Sequence, residues 1–369
     1  MAIMSSYDIA TEIGIIGAGP AGLSAAAVAA ELGAKVVLID DNPTVGGQLI
    51  KQTHKFFGSK SHYCGVRGID IAKILGEKIK HPNVNLMLDS SVIGYYQDNI
   101  LGVVQYDRFL KVYAQRIIIA TGAAENLIAF PNNDLPGVYG AGAVQTLMNV
   151  HGVLPGKRAL MVGSGNIGLI VSYQMIQAGI EVVTIIEIMD KIGGYHVHAA
   201  KLRRLGVPIL TSHTIKYAIG NDCVKGAIIV KVNKQLKPIK GTEKRLKVDM
   251  ICLAVGLTPL SELLYQAGCR INYIPELGGN VAWHNEDLET SVPGIYVAGD
   301  VSGIEEASTA MLEGRIAGAN AYQSLFGKND KAQAIIACAK KELSEIRQGP
   351  FGIRPKMGKE KLFTTSILT

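Results

Sequence analysis

The sequence predicts an α/β protein with two Rossmann-like dinucleotide-binding domains, the second inserted in the first. Three observations predict this fold. A glycine-rich strand–turn–helix pattern with an acid at the end of the next strand occurs twice in the 369 residues. Apolar residues make up 48% of the chain and charged residues 18%, which is enough for two cores. The 42 glycines suit turns that approach ligands closely.

The first pattern covers residues 12–40, EIGIIGAGPAGLSAAAVAAELGAKVVLID. Gly17 permits a tight turn, Gly19 lets the backbone approach a pyrophosphate, and Gly22 lets helix and strand touch. The helix N-terminus offers N–H groups and the positive end of the helix dipole to phosphates. Asp40 can accept hydrogen bonds from an adenosine ribose. The alternative for Asp40 is a solvated residue at a strand end.

The second pattern covers residues 158–187, RALMVGSGNIGLIVSYQMIQAGIEVVTIIE. Gly163, Gly165 and Gly168 repeat the glycine spacing, and Glu187 repeats the acid. A carboxylate at this point repels a 2′-phosphate, and no Arg follows it directly, so NAD(H) is favoured over NADP(H). The alternative for Glu187 is a surface acid.

Residues 91–120 predict a small antiparallel meander between the two patterns. Its last strand ends at Ala120, Thr121 and Gly122, where small residues let the chain turn beside a nucleotide. A matching strand in the second unit ends at Gly256.

Residues 294–300, GIYVAGD, predict a third strand that is followed by a helix. Gly299 and Asp300 at its carboxyl end suit contact with the ribityl chain and pyrophosphate of a flavin. The start of the helix near Ser308 and Thr309 would stabilise negative charge on a reduced flavin ring through its dipole.

These elements predict a discontinuous first dinucleotide-binding domain over residues 8–130 and 284–327, a second one over 131–283, and a basic tail over 328–369. The net charge is +6, and residues 331–369 hold eight Lys and Arg against three Glu. The body of the protein is therefore near neutral, and nucleic acid is a poor expectation as partner. The tail contacts another subunit or is solvated.

The N-terminal residues MAIMSSYDIATEIG show no signal peptide, and no apolar run is long enough for a transmembrane helix. The five cysteines are scattered and form no CxxC, which indicates free thiols in a reducing compartment. We expect a cytoplasmic protein.

The two glycine patterns, the 120–122 turn and Ala298-Gly299-Asp300 fall in the order of the two-dinucleotide-binding flavoprotein family, which includes thioredoxin and glutathione reductases. The chain resembles this family up to about residue 327. The resemblance implies that FAD occupies the first site and NAD(H) the second, so that residues 8–130 and 284–327 form the FAD-binding domain and residues 131–283 the NAD-binding domain.

A narrower resemblance lies in residues 127–148, 193–210 and 347–352. These segments are similar to the nucleotide-binding α subunits of heteromeric amine and amino-acid dehydrogenases: dye-linked L-proline dehydrogenase, hydrogen cyanide synthase, opine and hydroxyproline dehydrogenases, and heterotetrameric sarcosine oxidase. The resemblance implies a hetero-oligomer with a β subunit of the D-amino-acid-oxidase type, with FMN at a subunit interface as a further option. Cys338 stands alone after residue 327, so an iron–sulfur cluster would need a separate small subunit.

The patterns and the resemblance together assign two sets of cofactor-binding residues. The FAD set is Gly17, Gly19, Pro20, Ala21, Asp40, Asp41, Gly47, Gln48, Val92, Ala120, Thr121, Gly122, Gly299, Asp300, Ser308 and Thr309. The NAD set is Gly163, Gly165, Asn166, Ile167, Glu187 and Gly256. We predict no metal site and identify no catalytic base.

Residues 46–57, GGQLIKQTHKFF, occupy the position where glutathione reductases place two cysteines beside the flavin, and they contain none. The thioredoxin-reductase position, 169–177, also lacks cysteine. Because a disulfide relay needs two adjacent thiols, electrons must leave by hydride to NAD, by a second flavin or by an iron–sulfur partner. Cys64 alone forms no dithiol.

The histidines offer little catalytic signal. His54 is the one plausible proton donor in the segment after Gln48. The preferred interpretation, however, is that His54 is a solvated loop residue. His196 and His198 lack a third metal ligand, so a polar helix face is the preferred interpretation.

We therefore predict an FAD- and NAD(H)-binding electron-transfer subunit of a heteromeric amino-acid or amine dehydrogenase. One alternative is a stand-alone NADH-dependent flavin oxidoreductase with a small-molecule or protein acceptor. Another is a scaffold subunit whose nucleotides never turn over.

Overall fold

A computed structural model describes residues 7–364 of the chain, which divide into two units. Within the described residues, unit 1 comprises residues 7–50, 55–124 and 258–364, and unit 2 comprises residues 51–54 and 125–257.

Strands and helices alternate around the two glycine patterns, whereas runs of consecutive strands, over residues 84–140 and 209–259, follow each of them. The strands are β1 (Ile9–Ile16), β2 (Val36–Ile39), β3 (Val84–Met87), β4 (Ser90–Tyr96), β5 (Ile100–Gln105), β6 (Arg108–Ile119), β7 (Ala123–Glu125), β8 (Val138–Gly140), β9 (Arg158–Val162), β10 (Glu181–Ile186), β11 (Ile209–Leu210), β12 (His213–Ile219), β13 (Gly226–Lys231), β14 (Lys244–Leu246), β15 (Met250–Leu253), β16 (Leu257–Pro259), β17 (Ile271–Ile274), β18 (Gly279–Ala282) and β19 (Ile295–Val297). The helices are α1 (Pro20–Leu32), α2 (Gly68–Lys78), α3 (Ala141–Asn149), α4 (Asn166–Gln177), α5 (His196–Arg204), α6 (Glu262–Gln266), α7 (Ala307–Phe326), α8 (Asp330–Ile346) and α9 (Ile353–Thr364).

The main sheet of unit 1 has the strand order β3-β2-β1-β6-β5-β4, with β19 added beside β6. Strands β3, β2, β1 and β6 run parallel, and β4, β5 and β6 form the antiparallel meander. The long strand β6 uses one edge twice: its first half pairs with β5, and Ile117–Ile119 pair in parallel with β19. The carboxyl ends of β1, β6 and β19 therefore meet at one edge, where open α/β sheets bind ligands.

Helices α1 and α7 of unit 1 cross with their backbones almost in contact. A Cβ on Gly314 would lie 2.1 Å from the Ala21 carbonyl oxygen, and one on Gly318 would lie 2.5 Å from that of Ala25. Alanines such as Ala25 and Ala29 are fully buried on the facing helix. Glycine on one helix and alanine on the other thus permit a close crossing beside the first glycine-rich turn.

Unit 2 contains a five-stranded parallel sheet in the order β11-β10-β9-β15-β8 and a three-stranded antiparallel sheet of β12, β13 and β14. Met161 and Leu169 are buried in the core that α4 forms with the parallel sheet. This arrangement repeats the strand–turn–helix of unit 1 around the second glycine pattern.

Unit 1 includes residues that the sequence predicts for the inserted domain and for the tail. Residues 258–283, expected in the inserted domain, group with unit 1. The predicted tail 328–369 forms α8 and α9 within unit 1 as far as residue 364; residues 365–369 lie outside the described part. Ala339 and Leu343 of α8 join the core that also contains Ala317 of α7.

Within residues 7–364, no helix is long and apolar enough to cross a membrane. The same residues contain no group of three or more His, Cys, Asp or Glu side chains that could hold a metal ion. All five cysteines are free thiols: Cys252 and Cys269 are buried, and the other three are exposed.

Candidate functional site

The first glycine-rich turn joins β1 to α1 with no room for side chains. Gly17 has φ +100°, and a Cβ there would lie 2.3 Å from the Ala120 carbonyl oxygen. A Cβ on Gly22 would lie 1.8 Å from the Gly17 carbonyl oxygen, so helix and strand touch here. Gly19 is the N-cap of α1, no side chain among the described residues caps it, and Pro20 opens the helix. The first-turn N–H groups, which have no intrahelical partner, suit a pyrophosphate.

Asp40 braces this turn from the end of β2. Its Oδ2 accepts a hydrogen bond from the Ala18 N–H, and its Oδ1 accepts one from the Asn42 N–H at 2.9 Å. The side chain is buried at 7% exposure. Asp41 is exposed, and partial desolvation together with the neighbouring Asp40 charge raises its pKa. Asp40 therefore shapes the first glycine-rich turn, and its contact with a ribose stays a prediction.

A Gly-Gly segment lies over the first turn. The Gly46 N–H donates to the Ala18 carbonyl at 2.8 Å. A Cβ on Gly47, which has φ +50°, would lie 2.8 Å from the Gly19 Cα. Gln48 follows as an exposed residue in a short 3₁₀ turn. Only glycine allows this close approach, and it leaves a narrow, side-chain-free cradle at the start of α1.

The end of β6 forms another wall of the site. The Ala120 N–H donates to the Ile16 carbonyl at 2.8 Å. The Thr121 hydroxyl donates to the Leu260 carbonyl at 2.9 Å, and the Leu260 N–H donates to the Gly122 carbonyl at 3.0 Å. These bonds fix the Ala-Thr-Gly turn at the carboxyl edge of the sheet.

The end of β19 places Gly299 and Asp300 close to α1. Gly299 has φ +79°, and a Cβ there would lie 2.9 Å from the Ala21 Cβ. Asp300 Oδ1 accepts a hydrogen bond from the Glu305 N–H at 3.2 Å. Desolvation, followed by the neighbouring charges of Glu313 and Glu305, raises the pKa of Asp300 to about 7. Asp300 can therefore donate or accept a hydrogen bond near neutral pH.

Helix α7 begins directly after this turn. No side chain among the described residues caps its N-terminus. Ser308 is buried in the first turn at 8% exposure, and the Thr309 hydroxyl donates to the Glu306 carbonyl at 2.7 Å. The N–H groups at this end are thus available to an anionic group.

Val92 belongs to the antiparallel meander and not to a glycine-rich turn. It is half-buried in β4, opposite Val103 of β5. The β4 strand starts beside the site because the Ser90 N–H donates to the Asp40 carbonyl at 2.9 Å. The contact of Val92 with a cofactor stays a prediction.

The second glycine-rich turn in unit 2 has the same construction. A Cβ on Gly163, at φ +105°, would lie 2.2 Å from the Ala254 carbonyl oxygen, and one on Gly168 would lie 2.2 Å from the Gly163 carbonyl oxygen. Gly165 is the N-cap of α4, again without a side-chain cap among the described residues, and a Cβ there would meet nothing within 4 Å. The open space at Gly165 suits an approaching phosphate.

Glu187 braces the second turn as Asp40 braces the first. Its Oε2 accepts hydrogen bonds from the Ser164 N–H at 2.9 Å and the Ser164 hydroxyl at 2.7 Å. Its Oε1 accepts from the Met189 N–H at 3.0 Å. The carboxylate is thereby oriented at the strand end where an adenosine ribose would bind.

Sequence reasoning missed a second repeat. Gly193 and Gly194 follow Glu187 as Gly46 and Gly47 follow Asp40. A Cβ on Gly194 would lie 2.9 Å from the Asn166 N atom. The paired glycines six and seven positions after each acid were the signal that could have revealed it, and both pairs lie over a glycine-rich turn.

The remaining residues of the NAD set lie around this turn. Asn166, first residue of α4, accepts a hydrogen bond from the Tyr195 N–H at 2.8 Å through its Oδ1. Ile167 is exposed at 40%. Gly256, at φ +116°, accepts a hydrogen bond at its carbonyl from the Asn126 N–H at 3.0 Å. The residues of both turns fit a dinucleotide pyrophosphate.

Two histidines of unit 2 differ from expectation. His198 is buried at 7% exposure, whereas His196 is exposed, so only one of the pair lies on a polar helix face. His54 is partly buried and not a solvated loop residue. Desolvation, followed by the charges of His198 and Lys201, lowers its pKa to about 4, so it is neutral near pH 7.

Comparison with known proteins identifies the family. A model of the pyridine nucleotide-disulphide oxidoreductase family matches residues 11–314. The chain belongs to this family. It is an FAD-dependent oxidoreductase with the two-Rossmann-domain fold, and it departs from the family's name in having no thiol pair at either disulfide position.

Relatives of this family member include an opine oxidase subunit of Rhizobium meliloti (strain 1021), which is 28% identical over an alignment of 337 positions, gaps included; the alignment covers 84% of this chain and 70% of the relative. The alpha subunit of sarcosine oxidase from the same organism is 26% identical over an alignment of 312 positions, gaps included; the alignment covers 80% of this chain and 28% of the relative. The chain thus spans little more than a quarter of that second protein.

Among solved structures, L-proline dehydrogenase from P. horikoshii matches with a TM-score of 0.68 and 24% identity, over 90% of this chain and 59% of the other. That likeness shows the shared fold.

Proposed function

We propose that this flavoprotein is the FAD- and NAD(H)-binding electron-transfer subunit of a heteromeric amino-acid or amine dehydrogenase. FAD would bind unit 1 and NAD(H) unit 2. The partner would be a β subunit of the D-amino-acid-oxidase type that oxidises the C–N bond. Further parts of the proposal are an FMN at the subunit interface and a separate small iron–sulfur subunit.

The observation that carries the proposal is the pair of acid-braced glycine turns in a chain without a thiol couple. Each turn ends at an uncapped helix N-terminus, and each is braced by a carboxylate, Asp40 or Glu187. Cys64 and Cys338 are exposed single thiols, and Cys252 is fully buried with its pKa raised by that burial. Electrons would therefore pass between cofactors and not through a disulfide.

The relatives support the partner assignment. Both named relatives are subunits of oxidases whose names specify opines or sarcosine, which are amine compounds. A chain that resembles subunits over at least four-fifths of its length is expected to work in an assembly of the same kind.

The chain's own residues would bind and orient the cofactors. A bound flavin would supply two-electron transfer, the chemistry that amino-acid side chains cannot provide. The α1 N-terminus and Gly19 would hold the pyrophosphate, Asp300 would hydrogen-bond to a hydroxyl, and the α7 N-terminus would stabilise negative charge on the reduced ring.

Co-purification and flavin reduction test the proposal. The chain is tagged in its native host, the bound proteins are identified, and the flavin absorbance of the complex is followed after anaerobic addition of an amine or of NADH. We expect a D-amino-acid-oxidase-type partner, and bleaching by the amine only when that partner is present.

Three results would contradict the proposal. A chain that purifies alone and oxidises NADH with a dye or quinone as fast as any assembly is a stand-alone reductase. A complex whose flavin is bleached by neither donor contains a scaffold subunit. A chain that contains no flavin and binds none when FAD is added excludes all of these electron-transfer roles.

A further inference from the structure

A buried carboxylate of α7 holds the turn that carries Asp300. Glu313 has only 2% exposure. Its Oε2 accepts hydrogen bonds from the Gly299 N–H at 2.9 Å and from the Ser302 hydroxyl at 2.7 Å. The position of this turn therefore depends on where the Glu313 carboxylate is held.

Lys359 of α9 reaches the same turn from the C-terminal segment. Its side chain has 4% exposure, and its Nζ donates to the Ser302 carbonyl at 2.9 Å. Nζ also lies 3.0 Å from His284 Nε2 and 3.3 Å from Glu313 Oε1. Because His284 Nδ1 lies 2.9 Å from the Ala282 carbonyl, that nitrogen carries the proton and Nε2 accepts from the ammonium.

Arg347, just after the end of α8, holds the other side of the network. Its guanidinium pairs with Glu313 Oε1 at 2.8 Å and with both carboxylate oxygens of Glu305. The Glu305 N–H in turn donates to Asp300 Oδ1. Both C-terminal helices are thus joined to the Asp300 turn through buried ion pairs.

Close packing of α9 against Leu277 holds Lys359 within hydrogen-bond distance of Ser302. A Cβ on the preceding residue, Gly358, would lie 2.6 Å from Leu277 Cγ, so α9 lies directly against residues 275–277. The Ile304 N–H donates to the Leu277 carbonyl at 3.0 Å. Leu277 therefore connects α9 to the segment that follows the Asp300 turn.

The charges of this network balance without Asp300. In their ionised forms Glu313 and Glu305 carry two negative charges and Arg347 and Lys359 carry two positive ones, although burial raises the pKa of Glu305 and lowers the pKa of Lys359. Burial opposes the charge on Glu313, but Lys359 and Arg347 together hold its pKa below the usual range. Loss of either cation would leave the two buried carboxylates with a single positive partner and weaken the hold of Glu313 on the turn.

We propose that Lys359 and Arg347 are positioning residues of the flavin site, through which α8 and α9 set the Gly299–Ser302 turn and the start of α7. The proposal rests on FAD binding in unit 1. The C-terminal helices are then part of the cofactor site, although neither helix lies in the strand–turn–helix patterns that predict it.

The test compares two lysines of the same helix. Lys359→Met removes the buried charge, and Lys356→Met removes an exposed one from α9. FAD affinity is measured by titrating apoprotein with FAD, the flavin midpoint potential by redox titration, and folding by circular dichroism. We expect the Kd for FAD to rise at least tenfold in Lys359→Met, with a shifted midpoint potential, and to stay within twofold of wild type in Lys356→Met.

If Lys359 has a purely structural role, Lys359→Met will have a lower unfolding temperature, but its FAD affinity and flavin midpoint potential will equal those of Lys356→Met. That result would overturn the inference. If Lys359→Met does not fold, Arg347→Lys decides, since it keeps the charge but loses the fork between Glu305 and Glu313. A Kd raised threefold or more supports the inference, and an unchanged Kd overturns it. Wild-type chain that binds no FAD overturns the proposed function too.

Discussion

Gly314→Ala should destabilise unit 1 by about 2–3 kcal/mol, because it adds a methyl group where α1 and α7 cross. The new Cβ would lie 2.1 Å from the Ala21 carbonyl oxygen, whereas ordinary contact begins at 3.4 Å. The helices must therefore separate by 1.3 Å, which is 3.4 minus 2.1. Overpacking typically costs about 1–3 kcal/mol and occasionally more, and an overlap of this size belongs at or above the upper end of that range. The better helix propensity of alanine offsets about 1 kcal/mol of that cost.

The control for this substitution is Gly76→Ala in α2. A Cβ at that position would meet only the end of the Val45 side chain, at 3.2 Å, so the gain in helix propensity should leave stability unchanged or slightly higher. Urea unfolding followed by circular dichroism measures both variants, and flavin fluorescence reports the same crossing because Ala21 also lies against Gly299. Ordinary surface substitutions change the free energy of unfolding by no more than about 0.5 kcal/mol. If the free energies of unfolding of Gly314→Ala and Gly76→Ala differ by less than that, the close crossing of α1 and α7 is wrong.

Three further predictions concern the sites. Since the folded-state pKa of Asp300 is raised from 3.8 to about 7, the folded apoprotein binds the proton more tightly and should lose stability as pH rises from about 4 to 7. In urea unfolding, the free energy of unfolding of Asp300→Asn should then exceed that of wild type by about 2–4 kcal/mol at pH 8 but not at pH 4. An equal gain at both pH values would contradict the raised pKa of Asp300. Glu187→Gln should weaken NADH binding about tenfold and reduce the preference over NADPH, since it keeps the size but loses the charge; equal loss for both nucleotides in fluorescence titrations would argue against a ribose contact. In the double variant Cys64→Ser and Cys338→Ser, the bound flavin should be reduced at the wild-type rate in stopped-flow measurements. A rate lowered tenfold would mean that a thiol takes part in flavin reduction.

The sequence predicts the two glycine-rich turns well because the steric limits that shape them are local. Gly17 and Gly163 need positive φ, and Gly22 and Gly168 need space, so steric limits on a few neighbouring residues appear directly as a spacing of glycines. The antiparallel meander and the strand that precedes Asp300 are predictable for the same reason, since alternation and flanking turns are local signals.

The buried network around Glu313 could not be found in this way. Arg347 and Lys359 are two of eight basic residues in a segment that looks solvated by composition, and burial depends on contacts with residues far along the chain. The sequence shows which residues carry charge, but it does not show that Gly358 brings one of them against Leu277. The hydrogen bond from the Ala18 N–H to the Asp40 carboxylate could not be predicted because it depends on the exact geometry of the turn.

The double use of one edge of β6 has a consequence for synthesis of the chain. Ile117–Ile119 leave the ribosome early, but their neighbour Ile295–Val297 follows only after all of unit 2 has been made. Until then the nascent protein exposes unpaired N–H and C=O groups beside a strongly apolar tripeptide, a surface that attracts chaperones or other nascent strands. Shortening the time between these two events, for example by circular permutation that brings β19 next to β6, should raise the soluble yield without altering any residue that contacts a nucleotide.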